Sequence, residues 1–207
     1  MPPPIPINPV RYPTLFRYVN GLPQGLDSYP DVQSSAEVAE SIRQRFGAAL
    51  VRDDLPDFIK DAMGMPWKRG TWIPEAHFMT LNALVRDVIY RNDEGYLQFC
   101  FDTMKAAYSS HLMRSVMFVM APSVLALATE KRWSTFKRGV ALKTLKSMPD
   151  GRLLSMTYPP RLYLTCMLDG VAKSIEAALS CTRAKQYSVI TNVISDTECQ
   201  FLISWIA

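Results

Sequence analysis

Two histidines are the side chains best suited to acid–base or metal chemistry in this chain. His77 and His111 are far apart in sequence, and each lies near a predicted helix start. An imidazole titrates near neutral pH and can act as an acid, a base or a ligand. A single histidine on a helix is nevertheless more often a hydrogen-bonded packing residue. We therefore predict packing roles for both.

The carboxylates that could form an acid–base pair surround a short predicted helix at residues 55–63. They are Asp53, Asp54, Asp57 and Asp61. Such a cluster suits the solvated outer face of a helix better than a catalytic pair. The sequence has no G-x-S-x-G elbow, H-E-x-x-H motif, phosphate-binding glycine loop or dinucleotide fingerprint, and its nine glycines are scattered. We therefore expect that the protein is not an enzyme.

One charged pair interrupts an otherwise apolar predicted helix. Arg86 and Asp87 follow a run of apolar residues at three- and four-residue spacing that begins after Pro74. Two interpretations stay open. The pair could be surface charges that add little to stability, or polar groups at the mouth of a pocket.

The whole chain has eleven methionines, and Met113, Met117 and Met120 lie on adjacent turns of the predicted middle block. Methionine packs adaptably and is common where a surface accepts an apolar ligand or partner. The candidate ligand or interface residues are Met113, Met117, Phe118, Met120, Leu125 and Trp133. They could line a cavity for a hydrophobic molecule or a homodimer seam, and plain core filling is the equally weighted alternative.

Composition and charge exclude several classes of protein. The net charge of the 207 residues is only +4, and the basic residues are spread over many segments, so we expect no nucleic-acid binding. The longest apolar run, residues 115–128, is about a third too short for a bilayer and is interrupted by Pro122, so we expect no membrane span. No secretory signal is visible and the four cysteines lack C-x-x-C spacing, which favours reduced thiols and a cytoplasmic location.

The pattern of prolines and apolar residues predicts the elements that position these side chains. Six prolines in residues 1–13 predict an extended arm, and breakers predict irregular structure for residues 14–33. Helices are predicted at residues 35–46, where Gly47 ends the helix, at residues 55–63, after Pro74 and after Asn92. The apolar block 110–136 is expected at the centre of the fold or of a subunit interface. We thus divide the chain into residues 1–33, a Pro-rich arm with an irregular segment, and residues 34–207, a single domain.

The last third of the chain changes from helical to alternating periodicity. Strands are predicted at residues 140–145, 153–158, 187–194 and 199–206, with a helix at 162–182 between the two hairpins. In the last strand Cys199, Phe201, Ile203 and Trp205 share one face. The fold class is therefore α+β, in which N-terminal and central helices pack on a four-stranded antiparallel sheet built by a C-terminal ββαββ unit.

The tail resembles the end of the 4-vinyl reductase domain family. That superfamily includes small-molecule sensor domains of transcription activators, TRAPP vesicle-tethering subunits and haem–NO-binding domains, and its last hairpin carries Gly-Asp-x-x-Cys-x-Phe. Here Ser195, Asp196, Cys199 and Phe201 occupy those positions, with the glycine replaced. The whole chain is also similar to a paralogous group of domains of about 200 residues in myxobacteria, through a set of landmarks: Trp67, Trp72, Pro122, Trp133 and Trp205.

The resemblance implies two cofactor chemistries that the residues can test. Zinc-binding relatives use a Glu-x-x-Cys pair before the last cysteine, but Ser188 and Thr191 stand there and are poor zinc ligands. Haem-binding relatives use a histidine and a Tyr-x-Ser-x-Arg motif, of which Tyr108 and Ser110 are present without the arginine. We therefore expect no cofactor, neither zinc nor haem, although His111 stays as a candidate haem ligand.

The function that the resemblance implies is that of a non-catalytic sensor-like or adaptor domain in bacterial signalling. It would bind an apolar small molecule, a protein partner, or both, and would self-associate, most simply as a homodimer. Two alternatives stay open. One is a purely structural protein–protein assembly module that uses the central helices and has no ligand, and the other is a haem or other cofactor protein that uses His111.

Overall fold

The computed structural model describes residues 6–108 and 120–206, and the chain divides into two units. The first unit combines Met1–Gly95, Thr135–Gly139 and Arg161–Leu164. The second unit combines Tyr96–Ser134, Val140–Pro160 and Thr165–Ala207. Both units are thus assembled from separate stretches of sequence.

The first unit is mainly helical. Its described helices are α1 (Pro13–Gly21), α2 (Ala36–Leu50), α3 (Asp57–Gly64) and α4 (Glu75–Leu84), with a short 3-10 turn at Gly25–Asp27. Helix α4 continues directly as a π-helix over Val85–Tyr90, and the chain then leaves it at Arg91, which has a left-handed backbone conformation. Short π-helical segments of this kind are frequent at functional sites.

A small antiparallel sheet holds the helices of the first unit. Its strands are β1 (Gln33–Ser35), β2 (Trp72–Pro74) and β3 (Lys137–Arg138), in the order β2–β1–β3. Ser34 lies opposite Ile73 on one side and opposite Lys137 on the other. Strands β1 and β2 lead straight into helices α2 and α4, so the sheet fixes where both helices begin.

The second unit contains the predicted ββαββ arrangement. Its described elements are α5 (Asp93–Tyr108, in this unit from Tyr96 onward), α6 (Pro122–Arg132), β4 (Ala141–Met148), β5 (Gly151–Thr157), α7 (Thr165–Ser180), β6 (Gln186–Val193) and β7 (Glu198–Ile206). The sheet order is β4–β5–β7–β6 with every pair antiparallel, which confirms the predicted fold class.

The buried face of this sheet follows the alternation in the sequence. Cys199, Phe201 and Ile203 are fully buried, and Leu154 and Met156 of the neighbouring strand lie opposite Phe201 and Cys199. Burial of such side chains contributes roughly 1.5–3 kcal/mol each before the entropy of ordering is counted. The prediction that the odd-numbered residues from 199 to 205 share one buried face is confirmed.

Two local predictions in the first unit are wrong. Residues 14–33 are predicted to be irregular, yet they contain most of helix α1. Pro13 suits the first position of a helix. The residues that follow at helical spacing form one buried face: Leu15, Tyr18, Val19 and Leu22. Helix α2 also runs past Gly47, with Leu50 buried in its last turn. The division into residues 1–33 and 34–207 stays a prediction.

Candidate functional site

The predicted ligand or interface residues fall into two groups. Met113, Met117 and Phe118, together with the candidate haem ligand His111, lie outside the described residues. Leu125 of the second unit is buried, Met120 is partly exposed, and the indole of Trp133 donates a hydrogen bond to the carbonyl of Val140 at 2.9 Å. Whether the six residues form one site stays a prediction.

Helix α6 is the described helix of the apolar block 110–136. It packs on β4 and α7, and the carboxylate of Glu130 accepts a 3.1 Å hydrogen bond from the backbone N–H of Thr144. Val124 is 52% exposed and Leu127 is 43% exposed, so in the single chain this helix does not lie at the centre of a hydrophobic core. It is attached to the second unit through one face, and the apolar residues on its other faces remain on the surface.

A buried polar cluster lies where β1, β3 and α4 of the first unit meet. The carboxylate of Glu75, which is fully buried, accepts hydrogen bonds from the hydroxyl of Ser34, from the ammonium of Lys137 and, at 2.8 Å, from the hydroxyl of Tyr163. Lys137 also donates to Ser34 at 2.7 Å and lies 4.8 Å from the ring centre of Phe78. Because each charged group is paired inside the cluster, its role is structural.

The imidazole of His77 on α4 is a second buried polar group. It is 8% exposed, and its Nδ1 atom is buried without a hydrogen-bond partner among the described residues. Burial lowers the pKa of His77 below its ordinary value, although the charge of Asp27 opposes the shift. The ring is therefore neutral near pH 7, which is the form that can bind a metal. The predicted packing role of His77 leaves this unpaired nitrogen unexplained.

Arg152 is the corresponding buried group in the second unit. It lies on β5 opposite Ile203, and it is only 9% exposed. Its Nε and Nη1 atoms have no hydrogen-bond partner in the described part of the chain. A buried charge without a partner is expensive. Arg152 is not among the predicted site residues, although strand alternation with Leu154 and Met156 places it on the core side of the sheet.

Two of the four cysteines, Cys100 and Cys199, are unsuited to nucleophilic chemistry. All four are free thiols, as the missing C-x-x-C spacing indicates. Burial raises the pKa of Cys100 to about 12 and that of Cys199 to about 11. Thiols of this kind are inert because the thiolate is the reactive form.

The described residues contain no cluster of three or more His, Cys, Asp or Glu side chains that could hold a metal ion. None of the helices over residues 6–108 and 120–206 is long and apolar enough to cross a membrane.

Comparisons with known proteins find similarity in structure and not in sequence. No family model matches the chain, and no curated protein matches it significantly. The fold is similar to that of the Fe(II) unliganded H-NOX protein from K. algicida, with a TM-score of 0.54 and 9% identity over 84% of this chain and 97% of that one. A structure from work on haem distortion in the H-NOX family gives a TM-score of 0.50 and 11% identity over 82% and 92%.

These similarities confirm one part of the sequence resemblance and correct another expectation. A fold similar to that of haem–NO-binding domains is confirmed, whereas the links to 4-vinyl reductase domains and to the myxobacterial group stay predictions. The expectation that the chain takes no cofactor, haem included, is wrong, because the solved proteins that share its fold are described by their iron and haem.

Proposed function

We propose that this protein is a non-catalytic sensor domain that binds a small molecule, and that haem is the ligand to test first. The single observation that supports this most is the fold similarity to H-NOX proteins over most of both chains. Haem, when bound, would supply an iron centre that can take up a small gaseous ligand.

The side chains of the protein include groups that suit haem. The iron of haem can be held by a neutral imidazole, and the chain offers His111 and the buried His77, whose Nδ1 atom lacks a partner among the described residues.

The experiment is expression of the full chain with and without added haem precursor, followed by absorption spectroscopy and haem quantification. We expect a Soret band and about one haem per chain. His111→Gln and His77→Gln identify the ligand, since only one of them should abolish the band. A haem-supplied preparation without a Soret band contradicts the haem assignment, and native mass spectrometry of that preparation then tests for another bound small molecule.

A second function, assembly through helix α6, is supported by a different observation. Val124 and Leu127 expose apolar surface on this helix, and exposed apolar residues that are neighbours often mark a protein contact. We propose that a second copy of the chain covers them, so that the sensor acts as a homodimer. Analytical ultracentrifugation should show a dimer that Val124→Glu with Leu127→Glu converts to a monomer. A monomeric wild-type chain contradicts self-association.

A further inference from the structure

The end of the π-helix in the first unit borders a cavity of about 300 Å³. Four arginines line it, namely Arg11, Arg52, Arg86 and Arg91. Asp87 is the acidic residue in its wall, and Val10, Pro13 and Val88 supply apolar surface. A volume of this size lies at the lower end of the range for small-molecule sites. Of the two interpretations left open for Arg86 and Asp87, this cavity favours polar groups at a pocket.

Asp87 is not available to a cation in this cavity. Its side chain is fully buried, and its Oδ2 atom accepts hydrogen bonds from the backbone N–H groups of Thr14 at 2.8 Å and Leu15 at 2.9 Å. Its Oδ1 atom accepts a 3.0 Å hydrogen bond from Arg86. The negative charge of Asp87 is thus used to cap helix α1, as an acidic group at a helix N-terminus does.

Two further arginines share one carboxylate. Asp54 lies 2.6 Å from Nη1 of Arg11 and 3.8 Å from Nε of Arg52, and it accepts a 2.8 Å hydrogen bond from the hydroxyl of Tyr12. Burial opposes the shift, but the bond from Tyr12 and the charges of Arg11 and Arg52 lower the pKa of Asp54. Asp54 therefore stays ionised at neutral pH, and two guanidinium groups face one negative charge.

Because of Arg91, the arginines around the cavity outnumber the carboxylates that pair with them. Arg86 is paired with Asp87 and, at 2.9 Å, with Asp93, whereas Arg91 has no ion-pair partner within the described residues. The backbone φ angle of Arg91 is 61°, a left-handed conformation that glycine adopts easily and most other residues avoid. Four guanidinium groups therefore face three carboxylates, and Arg91 marks the end of the π-helix that positions it beside the cavity.

We propose that this cavity, defined as the arginine pocket, binds a small molecule that carries a phosphate or carboxylate group. Guanidinium groups recognise such oxyanions through paired, planar hydrogen bonds. The apolar wall leaves room for the organic part of the ligand. This site is independent of the proposed haem function, since every residue that lines it belongs to the first unit and none is a histidine.

Isothermal titration calorimetry of the full chain tests the proposal with inorganic phosphate, adenosine 5′-monophosphate and citrate. At least one probe should bind at low ionic strength and bind more weakly in added salt. Tighter binding of adenosine 5′-monophosphate than of inorganic phosphate would identify an organic phosphate as the ligand class, and tighter binding of citrate would identify a carboxylate. Equal affinity for phosphate and adenosine 5′-monophosphate would identify the free oxyanion as the recognised group.

Matched arginine variants connect any binding to the arginine pocket. Arg91→Gln and Arg52→Gln should each lower the affinity about fivefold or more, since each removes one charge from the wall. Arg17→Gln serves as the control, because Arg17 is an exposed arginine of helix α1 that does not line the cavity. The proposal is overturned if no probe binds at millimolar concentration, or if Arg17→Gln weakens binding as much as Arg91→Gln and Arg52→Gln do.

Discussion

The ammonium group of Lys137 lies 2.5 Å from the carboxylate of Glu75, although the two residues are 62 positions apart in the chain. The side chain of Glu75 is fully buried and that of Lys137 is 11% exposed. An ion pair in such a place depends on each partner to offset the desolvation of the other. The contact therefore ties strand β3 to the first turn of helix α4.

Removal of the charge on Glu75 should destabilise the protein strongly. Glu75→Gln leaves the ammonium of Lys137 without its counter-ion inside the first unit, and we expect the free energy of unfolding to fall by about 3 kcal/mol. Urea denaturation followed by circular dichroism measures the change.

An exposed ion pair provides the control for this experiment. Asp57 and Lys60 form a 2.8 Å pair in which the Asp57 side chain is 91% exposed, so Asp57→Asn should change the free energy of unfolding far less than Glu75→Gln does. Equal losses for Glu75→Gln and Asp57→Asn would show that burial does not govern the Glu75–Lys137 pair.

Substitution of Gly151 should destabilise the protein, for a reason that is separate from its position in a turn. A Cβ atom there would lie 2.6 Å from the carbonyl oxygen of Ile203, and the neighbouring strand cannot move away without breaking the ladder. We expect Gly151→Ala to lower the free energy of unfolding by about 1–3 kcal/mol in thermal or urea denaturation. Gly64→Ala is the control, since no atom lies within 4 Å of its added Cβ; a similar loss there would contradict the steric explanation.

Much of the second unit was predictable because its signals are local. Alternation from residue 199 to 205 and the Pro149-Asp150-Gly151 turn each depend on a few neighbouring residues, and the sheet follows from them. The small sheet of the first unit was missed because β3 has only two residues and pairs with β1 from a distant part of the sequence. Such short strands have no periodicity of their own.

The candidate sites were harder to predict because they depend on long-range contacts. Arg86 and Asp87 stand out in sequence as charges on an apolar helix, but nothing local indicates that Asp87 caps α1 from 73 positions away. The convergence of Arg11 and Arg52 on Asp54 is likewise a tertiary event. Arg152 is different, because its alternation with Leu154 and Met156 on β5 is a local signal that places it on the buried side of the sheet.

The buried thiols should differ in reactivity from the partly exposed ones. Cys199 is fully buried, and burial raises its pKa to about 11, so only about one thiol in a thousand is ionised at pH 8. Iodoacetamide at that pH should label Cys181, which is partly exposed, well before Cys199, as peptide mass spectrometry can show. Labelling in urea should reach both residues. Equal rates in the native protein would contradict the burial of Cys199.

The buried Arg152 should lower the free energy of unfolding of the protein when no ligand is bound. Its side chain is buried, and two of its guanidinium nitrogens have no hydrogen-bond partner among the described residues. Arg152→Met keeps most of the side-chain volume while it removes the charge, so we expect the free energy of unfolding to rise by about 1–4 kcal/mol. Arg152→Lys retains a charge and should give no such gain, and Arg17→Met controls for the loss of an exposed arginine. If Arg152→Met destabilises the ligand-free chain in urea denaturation, Arg152 supports the fold and is not held for a ligand.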